Sequence, residues 1–192
     1  MKPKSRDHIL TEEQIKRLID NCKNYKETFL IRGLFYTGMR ISEFIHLKKD
    51  WIDKEYEFIS IPEQIKCNCY ECYTHKTHAQ YWKPKTKMGV RNIYIIKEVR
   101  NIIKQYFESH NDVINLIHSR KEAWRLITNI GKRSKIKVFP HSIRASYVTI
   151  LVEKGVDPYR LTNIMGWSST APAISYIKSR KSDLKEFFET KW

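Results

Sequence analysis

The stretch FLIRGLFYTGMRISEFIHL, Phe29–Leu47, decides the class of fold. Phe29, Leu30, Leu34 and Phe35 build an apolar helical face that runs up to Thr37 and Gly38, where a glycine suits a helix end because it tolerates the left-handed backbone of the cap. From Ile41 to about Lys48 a further short helix is expected. A glycine turn therefore delivers Arg40 to the start of a helix, with Glu43 three residues on and on the same face, placed to hold its guanidinium. Two helices broken by one glycine point to a packed helical domain.

Working outward, Thr11 and Gln14 form a capping-box pair ahead of Ile15, Leu18, Ile19 and Cys22, which predicts a helix over 12–23. On the other side the period changes. Tyr56, Phe58, Ile59 and Ile61 within 51–61 read as strand, ended by Pro62. A second strand is read at 91–96 and a third run lies at 81–88, with Gly89 as the turn, so a three-stranded antiparallel sheet is expected. After Lys97 the pattern is helical again, through Val99, Ile102, Ile103, Tyr106 and Phe107, then Val113, Leu116, Ile117, Trp124 and Ile127. Pro140 precedes a helix over about 141–153 with Gly155 at its C-terminal cap, and Asp157 and Pro158 start one that ends near Gly166. Short helices at 173–177 and 183–190 close the chain. The fold class is mainly α with a small antiparallel β-sheet (α+β), in a single domain over residues 1–192.

Lys and Arg number 36 against 21 Asp and Glu, a formal charge of +15, which favours a polyanionic partner. The excess is uneven. Residues 82–91 hold Lys83, Lys85, Lys87 and Arg91 with no acid, and residues 132–137 hold Lys132, Arg133, Lys135 and Lys137 with none. At 41% hydrophobic and 12% aromatic the chain has material for a core, which excludes a disordered basic tail. The opening MKPKSRDHIL lacks the apolar run of a secretory leader, and no stretch approaches the length of a membrane span. A membrane partner is not expected, and a cytoplasmic location is. Four cysteines are too few for a disulfide scaffold, which agrees with reduced thiols.

Four segments bear chemistry when taken together: TGMRISE (Thr37–Glu43), PKTKMGVR (Pro84–Arg91), PHSIR (Pro140–Arg144) and MGWSSTAPAISYIKSR (Met165–Arg180). Singly, each has a plain structural reading: a surface ion pair, a solvated turn, a helix cap and two core aromatics. In this order and spacing they resemble the catalytic domain of the tyrosine recombinase (phage integrase) family, on Arg40, a lysine of the hairpin, His141, Arg144, Trp167 and Tyr176. The resemblance covers about residues 10–177. The insertion described below is also similar to that of archaeal integrases.

Attack on a DNA phosphodiester needs a nucleophile, a base, an acid for the leaving oxygen and positive charge on the non-bridging oxygens. A phenol has a pKa near 10 and needs an acceptor close by, which His141, titrating near neutrality, can supply to Tyr176. Arg40 and Arg144 carry permanent charge in a fork that suits phosphate oxygens. Lys85 can protonate the departing 5′-oxygen. The family pattern favours Lys85 over Lys87, and Lys87 stays the alternative. Trp167 stands where most relatives carry a second histidine, and its indole N–H can donate but not accept a proton.

The resemblance implies cleavage and rejoining of double-stranded DNA through a 3′-phosphotyrosine, with no metal or nucleotide cofactor in the chemistry, by a homo-oligomer, a tetramer on two sites, in a prokaryotic cell at its nucleoid. An accessory DNA-binding protein is a further expected partner. The tail, 178–192, carries Leu184, Phe187, Phe188 and Trp192 on an expected amphipathic helix that docks on a neighbouring subunit or packs on its own domain. The N-terminal domain that clamps DNA in most relatives is expected to be absent from this chain. The insertion, about residues 62–82, holds Cys67, Cys69, Cys72, His75 and His78. It reads as a structural zinc clip of three thiolates with His75 or His78, or as free thiols in a loop. The rival functions are relaxation of supercoils in the manner of a type IB topoisomerase, and a DNA-binding regulator without catalysis.

Overall fold

Helix α1 (Glu12–Asp20) starts where the capping box is complete: the Thr11 hydroxyl accepts from the Gln14 amide at 3.2 Å, and Gln14 Oε1 accepts from the Thr11 amide at 3.0 Å. The computed structural model describes residues 8–74, 80–109 and 117–177. Among them α1 is followed by α2 (Tyr25–Thr37), α3 (Ile41–Phe44), β1 (Phe58–Ile61), β2 (Ile65–Lys66), α4 (Tyr70–Tyr73), β3 (Tyr81–Trp82), β4 (Arg91–Tyr94), α5 (Lys97–Ser109), α6 (Arg120–Ser134), α7 (Pro140–Glu153), α8 (Pro158–Met165) and α9 (Ala171–Ile177). None of the described helices is long and apolar enough to cross a membrane. Val113, Leu116, His75, His78 and the tail from residue 178, with its expected helix at 183–190, lie outside the described residues.

Helix α2 is buried along most of its length and packs against α5, α6 and α7. The Phe29 ring lies 4.1 Å from that of Tyr106 on α5, nearly parallel to it, and 5.0 Å from Phe44 on α3. Val99, Ile102 and Ile103 of α5 and Ala123, Ile127 and Ile130 of α6 complete this main core. A second, smaller core of Val148, Leu161, Met165 and Ala173 joins α7, α8 and α9, and Trp167 and Tyr176 pack against it. The reading of those two aromatics as core residues is thus half right: both are half-buried, with one flank on this core.

The expected three-stranded sheet is replaced by two separate antiparallel ribbons. Strand β1 pairs with β4, in the register Phe58 with Tyr94 and Ile61 with Arg91, while β2 pairs with β3, Ile65 with Trp82 and Lys66 with Tyr81. The insertion therefore closes on itself. Prolines at 62 and 84, which have no N–H to give a ladder, fall where the chain leaves β1 and where it leaves β3. The lysine segment 83–89 is accordingly a connection between two ribbons and not the tip of a hairpin, and Gly89 ends a short 3-10 turn, Lys87–Gly89.

The strand expected from Trp51 shortens to β1 because Asp53 builds a turn. Its carboxylate accepts from the amides of Glu57 and Phe58 at 2.6 and 3.1 Å, and Tyr56 takes a left-handed φ of 56°. The first helix stops at Asp20 rather than residue 23, and the third at Phe44 rather than Lys48.

Candidate functional site

Helix α2 ends on Gly38, whose φ of 59° is the left-handed conformation of the cap. A Cβ there would also come within 2.4 Å of the Tyr147 ring, so the turn admits no side chain. The chain reverses over this glycine and Arg40 becomes the N-cap of α3. Glu43 then binds Arg40 twice, accepting from its backbone amide and from Nη1, both at 2.8 Å, and Arg40 Nη2 donates to the Gly166 carbonyl at 2.8 Å.

Gly166 caps α8 with a φ of 60°, and a Cβ on it would lie 2.7 Å from the Met88 carbonyl. Arg144, on the first turn of α7 and 9% exposed, donates to the carbonyls of Gly38 and, at 2.5 Å, Met165. Both helix-ending glycine turns are thus read by an arginine: Arg144 holds the Gly38 carbonyl and Arg40 the Gly166 carbonyl. Two helix ends that lie far apart in sequence are locked together beneath the site.

A third guanidinium completes the base. Arg91, at the start of β4, donates to both Glu43 carboxylate oxygens at 3.1 and 2.9 Å, to the Ile164 carbonyl at 2.9 Å and to the Gly89 carbonyl at 2.9 Å. Sequence reading placed Arg91 in a basic strip. The structure turns its side chain inward, only 6% exposed, onto a carboxylate that is 1% exposed. Burial alone would raise the Glu43 carboxyl, but the hydrogen bonds and charge of Arg91, then the charges of Arg40 and Arg144, outweigh it and hold the group below the usual carboxylate range. Three guanidinium groups share this one carboxylate, which leaves positive charge facing the cleft.

Burial, followed by repulsion from Arg40, pushes Arg144 down to about 9, so it stays protonated at neutral pH. His141, in the same first turn of α7, is lowered by partial burial and then by the charges of Arg144, Lys85 and Arg40. It is therefore neutral at pH 7 and has a ring nitrogen free of a proton.

Arg40, Lys85, His141, Arg144, Trp167 and Tyr176 all line one open cleft of about 790 Å³. The Trp167 and Tyr176 rings stack at 6.2 Å, 10° from parallel, from the α8–α9 connection and from α9. Lys85 and Lys87 are both exposed, but Lys85 lines the cleft and Lys87 is not among its lining residues. The second basic strip divides in the same way as the first. Arg133 turns inward to Glu27 at 2.5 Å and to the Asn21 carbonyl, whereas Lys132, Lys135 and Lys137 are exposed.

Beside this cleft, whose wall includes His46 and Cys72, Cys67, Cys69 and Cys72 gather around His46, a residue that sequence reading passed over. His75 and His78, the expected imidazoles, lie outside the described residues.

A model described as the phage integrase family matches residues 8–183. The tyrosine recombinase XerA of Pyrococcus furiosus is 26% identical over 200 residues, covering 97% of this chain and 63% of its own length. The transposase from transposon Tn916 of Enterococcus faecalis is 26% identical over 200 residues, covering 88% of this chain and 47% of that protein. The chain thus spans under two thirds of the length of these relatives. Among solved structures, an XerA recombinase superposes with a TM-score of 0.72 at 21% identity over 96% of this chain and 63% of the other. The Tn1549 transposon integrase in complex with circular intermediate DNA gives 0.73 at 22% identity, covering 100% of this chain and 69% of that one. The fold is that of tyrosine recombinase catalytic domains, and since the family model extends over nearly all of its length, the chain belongs to the phage integrase family.

Proposed function

We propose that this chain is the catalytic part of a site-specific DNA recombinase that cuts and rejoins double-stranded DNA through a 3′-phosphotyrosine. The observation that carries this reading is the meeting of a tyrosine, a histidine, a lysine and two arginines in one open cleft. The Tyr176 hydroxyl attacks the phosphorus as its proton passes to His141. Arg40 and Arg144 bind the non-bridging oxygens, with Trp167 donating its indole N–H. The 5′-oxygen leaves with a proton from Lys85. One phosphodiester is exchanged for another, so rejoining by a foreign 5′-hydroxyl needs no energy source and no metal. The Tn1549 integrase and other structural neighbours with the same fold were solved on DNA, which supports the choice of substrate. The reading includes a homo-oligomer on two DNA sites and action on DNA in the cytoplasm of a prokaryotic host.

A nicked suicide substrate tests the proposal. A protein–DNA adduct that survives denaturation is expected from a single site, and joined recombinant strands only when a second site is added. Adducts with relaxation of supercoils but no product from paired sites would assign the chain to topoisomerase chemistry instead, and binding without adduct would leave only a regulator.

Lys85→Ala is expected to slow cleavage of an ordinary strand by roughly 10²- to 10⁴-fold. A substrate with a 5′-bridging sulfur, a better leaving group, should bring the variant to within about tenfold of the parent. Equal defects on both substrates would remove Lys85 as the acid. The exposed Lys83, Lys132, Lys135 and Lys137 add sequence-independent attraction. With about seven phosphates neutralised, log K for DNA should fall with log salt at a slope near −6, measured by fluorescence anisotropy. A flat response would show that backbone charge is not what holds the duplex.

A further inference from the structure

Four soft or borderline ligands converge beside the cleft from two distant parts of the chain. Cys67 leaves β2 with its amide donating to the Gln80 carbonyl at 2.8 Å. Cys69 is the N-cap of α4, its sulfur accepting from the Cys72 amide at 3.4 Å, and Cys72 lies buried on that helix. His46 comes from the turn that leaves α3, where its amide donates to the Glu43 carbonyl at 3.2 Å. Its Nε2 is 3.3 Å from the sulfur of Cys69 and 3.3 Å from that of Cys72, and all four ligand atoms lie within 4.8 Å of one another. Around a tetrahedral zinc with Zn–S of about 2.3 Å and Zn–N of about 2.0 Å, the S···N and S···S edges are about 3.5 and 3.8 Å. The chain already presents that tetrahedron to within about an ångström.

The surroundings of His46 are those of a ligand. Its Nδ1 lies 2.7 Å from the Ser42 carbonyl, which can only accept, so the proton sits on Nδ1 and the Nε2 lone pair faces the sulfurs. The ring is 7% exposed and stacks on Trp82 at 5.3 Å, which fixes its plane.

We propose that His46, Cys67, Cys69 and Cys72 hold a structural zinc ion, with His46, and neither His75 nor His78, as the fourth ligand. Four protein ligands leave no open position, so the ion is structural. Binding converts three thiols to thiolates and releases three protons to solvent. The ion ties the β2–β3 ribbon and α4 to the exit of α3. It therefore braces two edges of the cleft, since Arg40 caps the start of α3 and the chain leaving β3 at Trp82 runs directly to Lys85. This site stands independently of the strand-exchange reading, because its test measures metal and not DNA cleavage.

Protein purified under reducing conditions should carry about one zinc per chain by plasma mass spectrometry. Cobalt(II) put in its place should show thiolate charge-transfer and the intense visible bands of a tetrahedral site. His46→Gln should weaken zinc binding at least about 100-fold, more than the loss of an outer hydrogen bond gives, while the His75→Gln, His78→Gln double variant keeps parental affinity. Chelation of the parent chain covers the case in which His46→Gln does not fold. The melting temperature should fall by roughly 10 °C and return with zinc but not with magnesium. Absence of stoichiometric zinc, a disulfide among the three cysteines in the reduced preparation, or unchanged zinc affinity in His46→Gln would each overturn the assignment.

Discussion

Tyr176→Phe is expected to abolish the covalent DNA adduct, with a fall in cleavage on the order of 10⁴-fold or more, while the protein folds and binds DNA as before. The change removes one hydroxyl and keeps the ring, so the stack on Trp167 at 6.2 Å and the contact with the small core of Val148, Leu161, Met165 and Ala173 survive. Binding should hold within about threefold, because in the proposed reaction Arg40 and Arg144 grip the phosphate and their carbonyl and carboxylate partners stay in place. Among the described residues Tyr81 and Ser168 also line the cleft, but the proposed attack comes from α9, where Tyr176 stacks on Trp167. Gel electrophoresis of a nicked substrate under denaturing conditions reads the outcome. An adduct of undiminished yield in Tyr176→Phe would move the nucleophile to another residue and with it the role of His141.

How much of this could be read from the chain depends on how far apart the partners lie. The capping box at Thr11, the glycine stop at Gly38, the Asp157–Pro158 helix start and the cap at Gly166 are local, and their chemistry is complete within a few residues. Arg40 with Glu43 is legible for the same reason, being three residues apart on one helical turn. Arg91 with Glu43 is not: 48 positions separate them, and a charge run says nothing about which way each side chain points. Arg91 and Arg133 were both counted as surface charge, yet each is folded inward on a buried carboxylate. Nothing local marked either arginine as inward, since Arg40 with Glu43 alone reads as a surface ion pair and the burial of the carboxylate appears only in the fold. The metal cluster follows the same rule. The C-x-C-x-x-C spacing identified three thiols, but a search in the neighbouring sequence could find only His75 and His78, whereas the imidazole that meets them lies 23 residues before Cys69. The ribbons differ from the expected sheet because strand propensity does not choose partners, and the insertion found its own.

Glu43→Gln should be the most damaging single change that touches no atom of the proposed reaction. The carboxylate is 1% exposed and receives Arg40 and Arg91, with Arg144 close enough to lower it further. Glutamine keeps the size and one acceptor but removes the charge, leaving the buried Arg91 and the half-buried Arg40 without a counter-ion. Breaking a buried pair in this way costs about 3–5 kcal/mol, which urea unfolding at neutral pH will read. The sign of the pH dependence follows from the lowered carboxyl. A group depressed on folding contributes its full stability above its unfolded value, 4.5, and loses it as pH falls through the folded value. The gap between parent and variant should therefore be widest at neutral pH and close on acidification below 4.5. Cleavage should also fall, on the order of 100-fold, because the Arg40 guanidinium loses the charged partner that aims its Nη1, and the variant should show this in the rate of adduct formation more than in DNA affinity. Glu43→Asp, which retains the charge on a shorter arm, should recover part of the stability but little of the rate, since it cannot reach Arg91 and Arg40 together. If Glu43→Gln unfolds within about 1 kcal/mol of the parent and cleaves at the parental rate, the three arginines are held by their carbonyl partners at Gly38, Met165, Gly89, Ile164 and Gly166 alone, and the carboxylate is dispensable to the site.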